Sequence, residues 1–144
     1  MSPIRIAECI GIFYVNRGAN GISRAILKFM HELSIALAIV EAAAEEAQRH
    51  GGRVEAVHLR LGALSGVGKD ALLFSWDLAC ADTPLAGARL EVKEIPVSVW
   101  CAACKFERTL DAEFDLRCPV CGGSDTEVRS GRELELSALE IQDG

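Results

Sequence analysis

Two Cys-x-x-Cys pairs, Cys101-Ala102-Ala103-Cys104 and Cys118-Pro119-Val120-Cys121, stand 13 residues apart in this 144-residue chain. Each pair turns the backbone so that two sulfurs point the same way, and two such turns facing each other make a tetrahedral set of four. Gly122-Gly123 after the second pair leaves the backbone free to turn tightly beside an ion. A thioredoxin-type redox motif needs one pair at the start of a helix, not two matched pairs. A disulfide framework needs an oxidising compartment, and no convincing secretion signal precedes it. The spacing therefore predicts a structural zinc site, with iron in a rubredoxin-like site as the main alternative. Cys9 and Cys80 have no partner at ligand spacing; Cys80 falls on a helical face and reads as a small buried hydrophobe.

Around this knuckle the hydrophobic periodicity changes character. Leu33, Leu37, Val40, Ala44 and Ala47 recur at spacings of three and four, which predicts a helix from His31 to His50, with Ser34 as a candidate cap and Gly51-Gly52 as its stop. Arg53 to Leu61 alternates, placing Val57, Leu59 and Leu61 on a core face and His58 and Arg60 on the other. Gly62 to Lys69 reads as a flexible connector; Gly66-Val67-Gly68-Lys69-Asp70 lacks the spacing of a phosphate loop. Asp70 to Cys80 returns to helical spacing, with Leu73, Trp76, Leu78 and Cys80 as packing candidates. Turn residues at Thr83 to Gly87 lead into a second strand, Ala88 to Ile95, and Glu133 to Ile141 forms the last. The expected architecture is α+β: two helices packed on a small three-stranded mixed sheet, with the four-cysteine zinc ribbon inserted between two strands.

Charge narrows the function classes. The net charge of -6 opposes an electrostatic nucleic-acid binder, and the 101–121 stretch sets Lys105, Arg108 and Arg117 against Glu107, Asp111, Glu113 and Asp115. Trp100 and Phe106 read as fillers of a small core and not as platforms for bases. No run approaches the ~20 apolar residues of a membrane span. There is no nucleophile–base pair and no carboxylate dyad, and a four-thiolate site leaves no open position for catalysis.

The first thirty residues differ from the rest: Arg5, Arg17, Arg24 and Lys28 face only Glu8, whereas the remainder carries 11 basic and 20 acidic residues. Ile10 to Val15 is too short, and too broken by Gly11, for a secretory signal. Met30-His31-Glu32 then opens the Ala-rich helix. A histidine at a helix start is ordinarily solvated, and Glu32 there complements the helix dipole. If Met30 is the first residue, however, an α-amine, an imidazole and backbone amides lie within one short peptide, a nitrogen-rich set suited to Ni(II) or Cu(II).

Met30-His31-Glu32-Leu33-Ser34-Ile35-Ala36, Val57 to Ser65, Thr83 to Leu90 and the paired Cys-x-x-Cys knuckle together resemble the HypA family of hydrogenase maturation factors, from Met30 to about Ile141. The resemblance implies a nickel metallochaperone and not an enzyme. By it, His31 is the principal nickel ligand, Met30 supplies its amine, Glu32 contributes backbone or carboxylate, and Cys101, Cys104, Cys118 and Cys121 hold zinc. It further implies a cytoplasmic protein that works with a nickel-insertion GTPase and the hydrogenase large subunit and, in some organisms, with urease accessory proteins. Neither nucleic acid nor membrane is an expected partner. The expected division is 1–29 as an N-terminal extension from a mis-called start, 30–98 with 127–144 as the nickel-binding domain, and 99–126 as the zinc ribbon. The alternative is a zinc-ribbon interaction module without a nickel role. His50 and His58 read as solvated or satisfied side chains.

Overall fold

The computed structural model describes residues 4–8, 31–111 and 115–143, apart from the side chain of His31. Helix α1 (His31–His50) is rich in alanine, carries Glu32 in its first turn and Arg49 and His50 in its last, and ends where Gly51 N–H bonds Ala47 O at 2.9 Å. Ser34 thus lies inside the first turn and not at the cap. The buried stripe is Ala36, Ile39, Val40 and Ala43, the i, i+3, i+4, i+7 pattern of one helix face. This stripe is rotated from the expected one: Leu37 lies on the exposed side, because the small alanines let α1 approach its neighbours closely.

Strand β2 (Arg53–Gly62) leads through helix α2 (Lys69–Cys80) to strand β3 (Arg89–Ile95), which pairs with β2 in parallel. A parallel pair requires such a crossover. On α2, Leu72, Trp76, Ala79 and Cys80 are buried, and the expected Leu73 and Leu78 are exposed. Position 72, not 73, continues the stripe through Trp76 and Ala79 at steps of four and three. The indole Nε1 of Trp76 donates to the buried carbonyl of Ala88 at 2.9 Å, fixing the turn into β3.

The last strand, β7 (Leu134–Gln142), returns antiparallel along the other side of β2. Val57, Leu59, Leu61, Leu136, Leu139 and Ile141 form the inner face under the helices. The outer face is polar. His58 Nε2 lies 2.8 Å from Glu140, Arg60 donates to Glu135 at 2.7 Å, and Arg89 reaches Glu140 at 3.2 Å. His58 is therefore a satisfied histidine, as its alternation suggests.

The sheet has one strand more than expected. Strand β1 (Ile4–Glu8) pairs antiparallel with β7, giving the order β1-β7-β2-β3. Without it, β7 would present a row of unpaired backbone groups. Register puts Arg5 opposite Ile141 on the helix side, where it forms a bidentate pair with Asp143 at 2.6 and 2.7 Å and donates to the carbonyls of His50 and Gly51. A basic residue thus meets the last carbonyls of α1, where a positive charge is favoured.

Between β3 and β7 the chain makes a second, three-stranded sheet of β4 (Ser98–Cys101), β5 (Phe106–Thr109) and β6 (Thr126–Ser130), in the order β5-β4-β6. Its own small core is Val97, Val99 and Leu110, with Leu64, Leu116 and Val128 against it. Trp100 and Phe106 are not in that core. They lie on the surface, each under an arginine: Arg129 is 5.7 Å from the Trp100 ring and Arg108 is 4.5 Å from that of Phe106.

Candidate metal centres

The two Cys-x-x-Cys pairs fold into the same turn. The residue after each second cysteine, Lys105 or Gly122, has positive φ (52° and 70°), and its N–H bonds the carbonyl of the first cysteine at 2.8 Å in both cases. Backbone N–H groups also aim at sulfur: Cys104 N to Cys101 Sγ at 3.4 Å, Cys121 N to Cys118 Sγ at 3.5 Å and Gly123 N to Cys121 Sγ at 3.4 Å. Such donors stabilise thiolates and fix their direction.

The four sulfurs of Cys101, Cys104, Cys118 and Cys121 lie within 4.8 Å of one another, with Cys101–Cys121 at 3.6 Å and Cys104–Cys118 at 3.9 Å. A tetrahedron of sulfurs about 2.3 Å from a central zinc has edges of about 3.8 Å, so the set has the size that ion requires. Cys101 and Cys118 are buried and Cys121 is exposed, so the cluster opens to one side only. As thiols, Cys118 and Cys104 are shifted in opposite directions. The backbone N–H of Cys121, against the cost of burial, holds Cys118 down at about 6. Hydrogen bonding from Cys121 and Cys101 pushes Cys104 up to about 12. A divalent cation would supply the positive charge that four clustered thiolates need. Cys80 is separate and buried, its thiol pushed up to about 11 by desolvation and then by Asp77. Cys9 lies outside the described residues.

Of the second expected site, Met30 and the His31 side chain lie outside the described residues, and His31 is placed only as the first residue of α1. Glu32 is described: its Oε1 accepts the N–H of Gly68 at 3.3 Å, so the carboxylate sits at the start of α2 as well as α1. Gly68 has no side-chain cap of its own, and Glu32 supplies one from a distance. Sequence pattern could not reveal this tie, since the two residues are 36 positions apart. Beside Gly68 a cavity of about 530 Å³, lined by Gly62, Gly66, Val67, Lys69, Glu94 and Pro96 among others, opens between the ends of the parallel strands and the entry to the ribbon.

Comparison with known proteins gives these sites a context. The family model described as hydrogenase/urease nickel incorporation, metallochaperone, hypA matches residues 30–141. The hydrogenase maturation factor HypA of Roseiflexus sp. (strain RS-1) is 51% identical over 115 residues, spanning 79% of this chain and 94% of the relative. That of Chloroflexus aurantiacus (strain J-10-fl) is 52% identical over 112 residues, spanning 77% and 98%. The solution structure of the Ni metallochaperone HypA from Helicobacter pylori superposes with a TM-score of 0.56 at 20% identity, covering 80% of this chain and all of that one, which supports the fold. Among the described residues no helix is long and apolar enough to cross a membrane. With residues 30–141 matched and half the positions shared with its relatives, this chain belongs to the HypA family, whose members are nickel metallochaperones of hydrogenase maturation and not enzymes.

Proposed function

We propose that this protein binds Ni(II) through the Met30-His31-Glu32 peptide and delivers it for maturation of a [NiFe]-hydrogenase, while a zinc ion on Cys101, Cys104, Cys118 and Cys121 holds the ribbon folded. The observation that carries this reading is that the match to the nickel-incorporation family begins at Met30 and so takes in the Met-His-Glu peptide. The His31 imidazole is the principal ligand, backbone nitrogens of the same peptide complete a near-planar set, and Met30 adds its α-amine where it is the first residue. Glu32 contributes backbone or carboxylate, and its Oε1 also accepts the N–H of Gly68. A site on a short peptide at the start of α1 exchanges ligands one at a time, which suits a protein that must give its metal away.

Zinc is favoured over iron by a role that calls for no electron transfer. The implied partners are a nickel-insertion GTPase, the hydrogenase large subunit and, where the organism has urease, its accessory proteins; the compartment implied is the cytoplasm. Nickel titration of the zinc-loaded protein tests the reading. His31→Ala loses Ni(II) binding and keeps its zinc, and a chain beginning at Met30 binds nickel more tightly than one extended before it. A His31→Ala protein that takes up nickel like the parent would leave the ribbon as an interaction module and overturn the nickel site.

A further inference from the structure

Helix α2 carries two apolar faces. Leu72, Trp76, Ala79 and Cys80 bury one of them against the core. Phe74 and Leu78, one turn apart, lie on the opposite side and are 89% and 68% exposed, with Leu73 at 38% beside them. Phe74 is the most exposed large hydrophobic side chain among the described residues. A single exposed leucine is ordinary, but a phenylalanine and a leucine stacked along one helix face form a continuous apolar strip.

Acid borders the strip. Asp70 lies one turn before Phe74 and Asp77 one turn after it, both exposed, and the exposed Asp82 follows the helix. No basic side chain pairs with any of the three among the described residues. Asp77 stands in the last turn of α2, which holds no basic residue, so its charge adds to the negative end of the helix dipole. Local helix stability therefore does not account for it. Lys69, the one basic residue of α2, is half-buried and lies on another side of the helix.

We propose that this face of α2 docks a basic amphipathic segment of a partner protein. Apolar side chains of the segment pack on Phe74 and Leu78, while its lysines or arginines meet Asp70, Asp77 and Asp82. Recognition along a helix face uses anchors at this one-turn spacing. The flanking carboxylates set the sign of the partner and steer its approach. A second copy of this chain does not fit, because a two-fold contact through Phe74 would bring the aspartates of one α2 against those of the other.

Fluorescence anisotropy on the full chain tests this with a labelled amphipathic helical peptide of leucine and lysine, and with its leucine–glutamate counterpart. The parent is expected to bind the lysine peptide, less tightly as salt is added, and not the glutamate peptide. Phe74→Ser should weaken binding about tenfold, as loss of a central aromatic anchor does. With its side chain in water, Phe74 can be replaced without unfolding the protein, which far-UV circular dichroism checks. Asp70→Asn combined with Asp77→Asn should also weaken binding and reduce its dependence on salt. A lysine peptide bound equally well by the parent and Phe74→Ser is held by net charge alone and overturns the proposal. Unchanged binding by the double Asn variant overturns it too, as does a parent that binds neither peptide or both alike. A parent that is dimeric and becomes monomeric as Phe74→Ser assigns the face to a second copy, which again overturns it. Neither metal assignment enters the outcome, since the face lies outside both the Met30-His31-Glu32 peptide and the ribbon.

Discussion

Gly62 and Gly131 meet backbone to backbone where the chain enters and leaves the ribbon: a Cβ placed on Gly62 would lie 2.2 Å from Gly131 O. Two hydrogen bonds close the crossing, Gly62 N to Glu133 O at 2.7 Å and Leu64 N to Gly131 O at 2.6 Å. Gly62→Ala cannot be absorbed by a side chain swinging aside, because the opposing atoms are main chain. It is expected to cost about 2–4 kcal/mol, as overpacking together with weakened hydrogen bonds. Gly66→Ala is the control. Gly66 has a φ of +79° and open space around it, so only the backbone penalty of about 1 kcal/mol applies. Urea midpoints of the two variants decide; equal losses would show that the crossing is looser than its geometry.

How far the sequence was legible follows from the range of the interactions involved. Both helices, the alternation that buries Val57, Leu59 and Leu61, and the four-cysteine set depend on neighbours a few residues away, and all were readable. Gly62 read as the start of a flexible connector because its reason for being glycine is Gly131, 69 positions on. Periodicity places the helix stripes one position off, at Leu37 and at Leu73, because it fixes a face only to within one residue. Local sequence places Ile4–Glu8 in an N-terminal extension, since nothing local says that β7 offers an edge. Glu32 draws notice in the sequence by its place beside His31, while its contact with Gly68 comes from the packing of α1 against α2.

Trp76 spans the junction between helix and sheet through its bond to Ala88 O. Trp76→Phe keeps most of the buried ring and removes the donor, leaving a carbonyl unpaired among apolar groups. A loss of about 1–3 kcal/mol is expected, read from the denaturation midpoint. Trp76→Leu adds the lost volume and should cost more. If the Phe variant is as stable as the parent, the Ala88 carbonyl has another partner.

The two cores are separate, and the ribbon's is small: Val97, Val99 and Leu110 with three partly buried neighbours. So few side chains leave the ribbon dependent on the zinc proposed for its four cysteines. Chelation of zinc is expected to unfold the ribbon and leave the α+β domain standing. The two tryptophans report the halves independently, Trp76 in α2 and Trp100 in β4. In a Trp100→Phe protein, emission from Trp76 should hardly change on chelation. In a Trp76→Phe protein, Trp100 should respond. Loss of both signals together would mean that the ribbon and the α+β domain unfold as one.

Arg5 and Asp143 tie β1 to the end of β7, and the pair predicts how that strand answers to acid. Hydrogen bonding from Arg5 holds the Asp143 carboxyl below its ordinary value of 3.8. A carboxyl depressed in the folded state favours folding above its ordinary value, and that contribution is lost as pH falls through the depressed one. The attachment of β1 should therefore be unchanged from neutral pH down to about 4 and weaken below it. Both side chains are solvent-exposed, so added salt should weaken it too. Carboxyl-carbon NMR on the 144-residue chain is the direct measurement. Asp143 should titrate below 3.8 in the parent and return to the ordinary value in Arg5→Ala, while hydrogen-exchange protection over Ile4–Glu8 falls in that variant at pH 6. If Asp143 titrates at the ordinary value in the parent, the arginine does not hold it, and β1 is kept on the sheet by its backbone ladder alone.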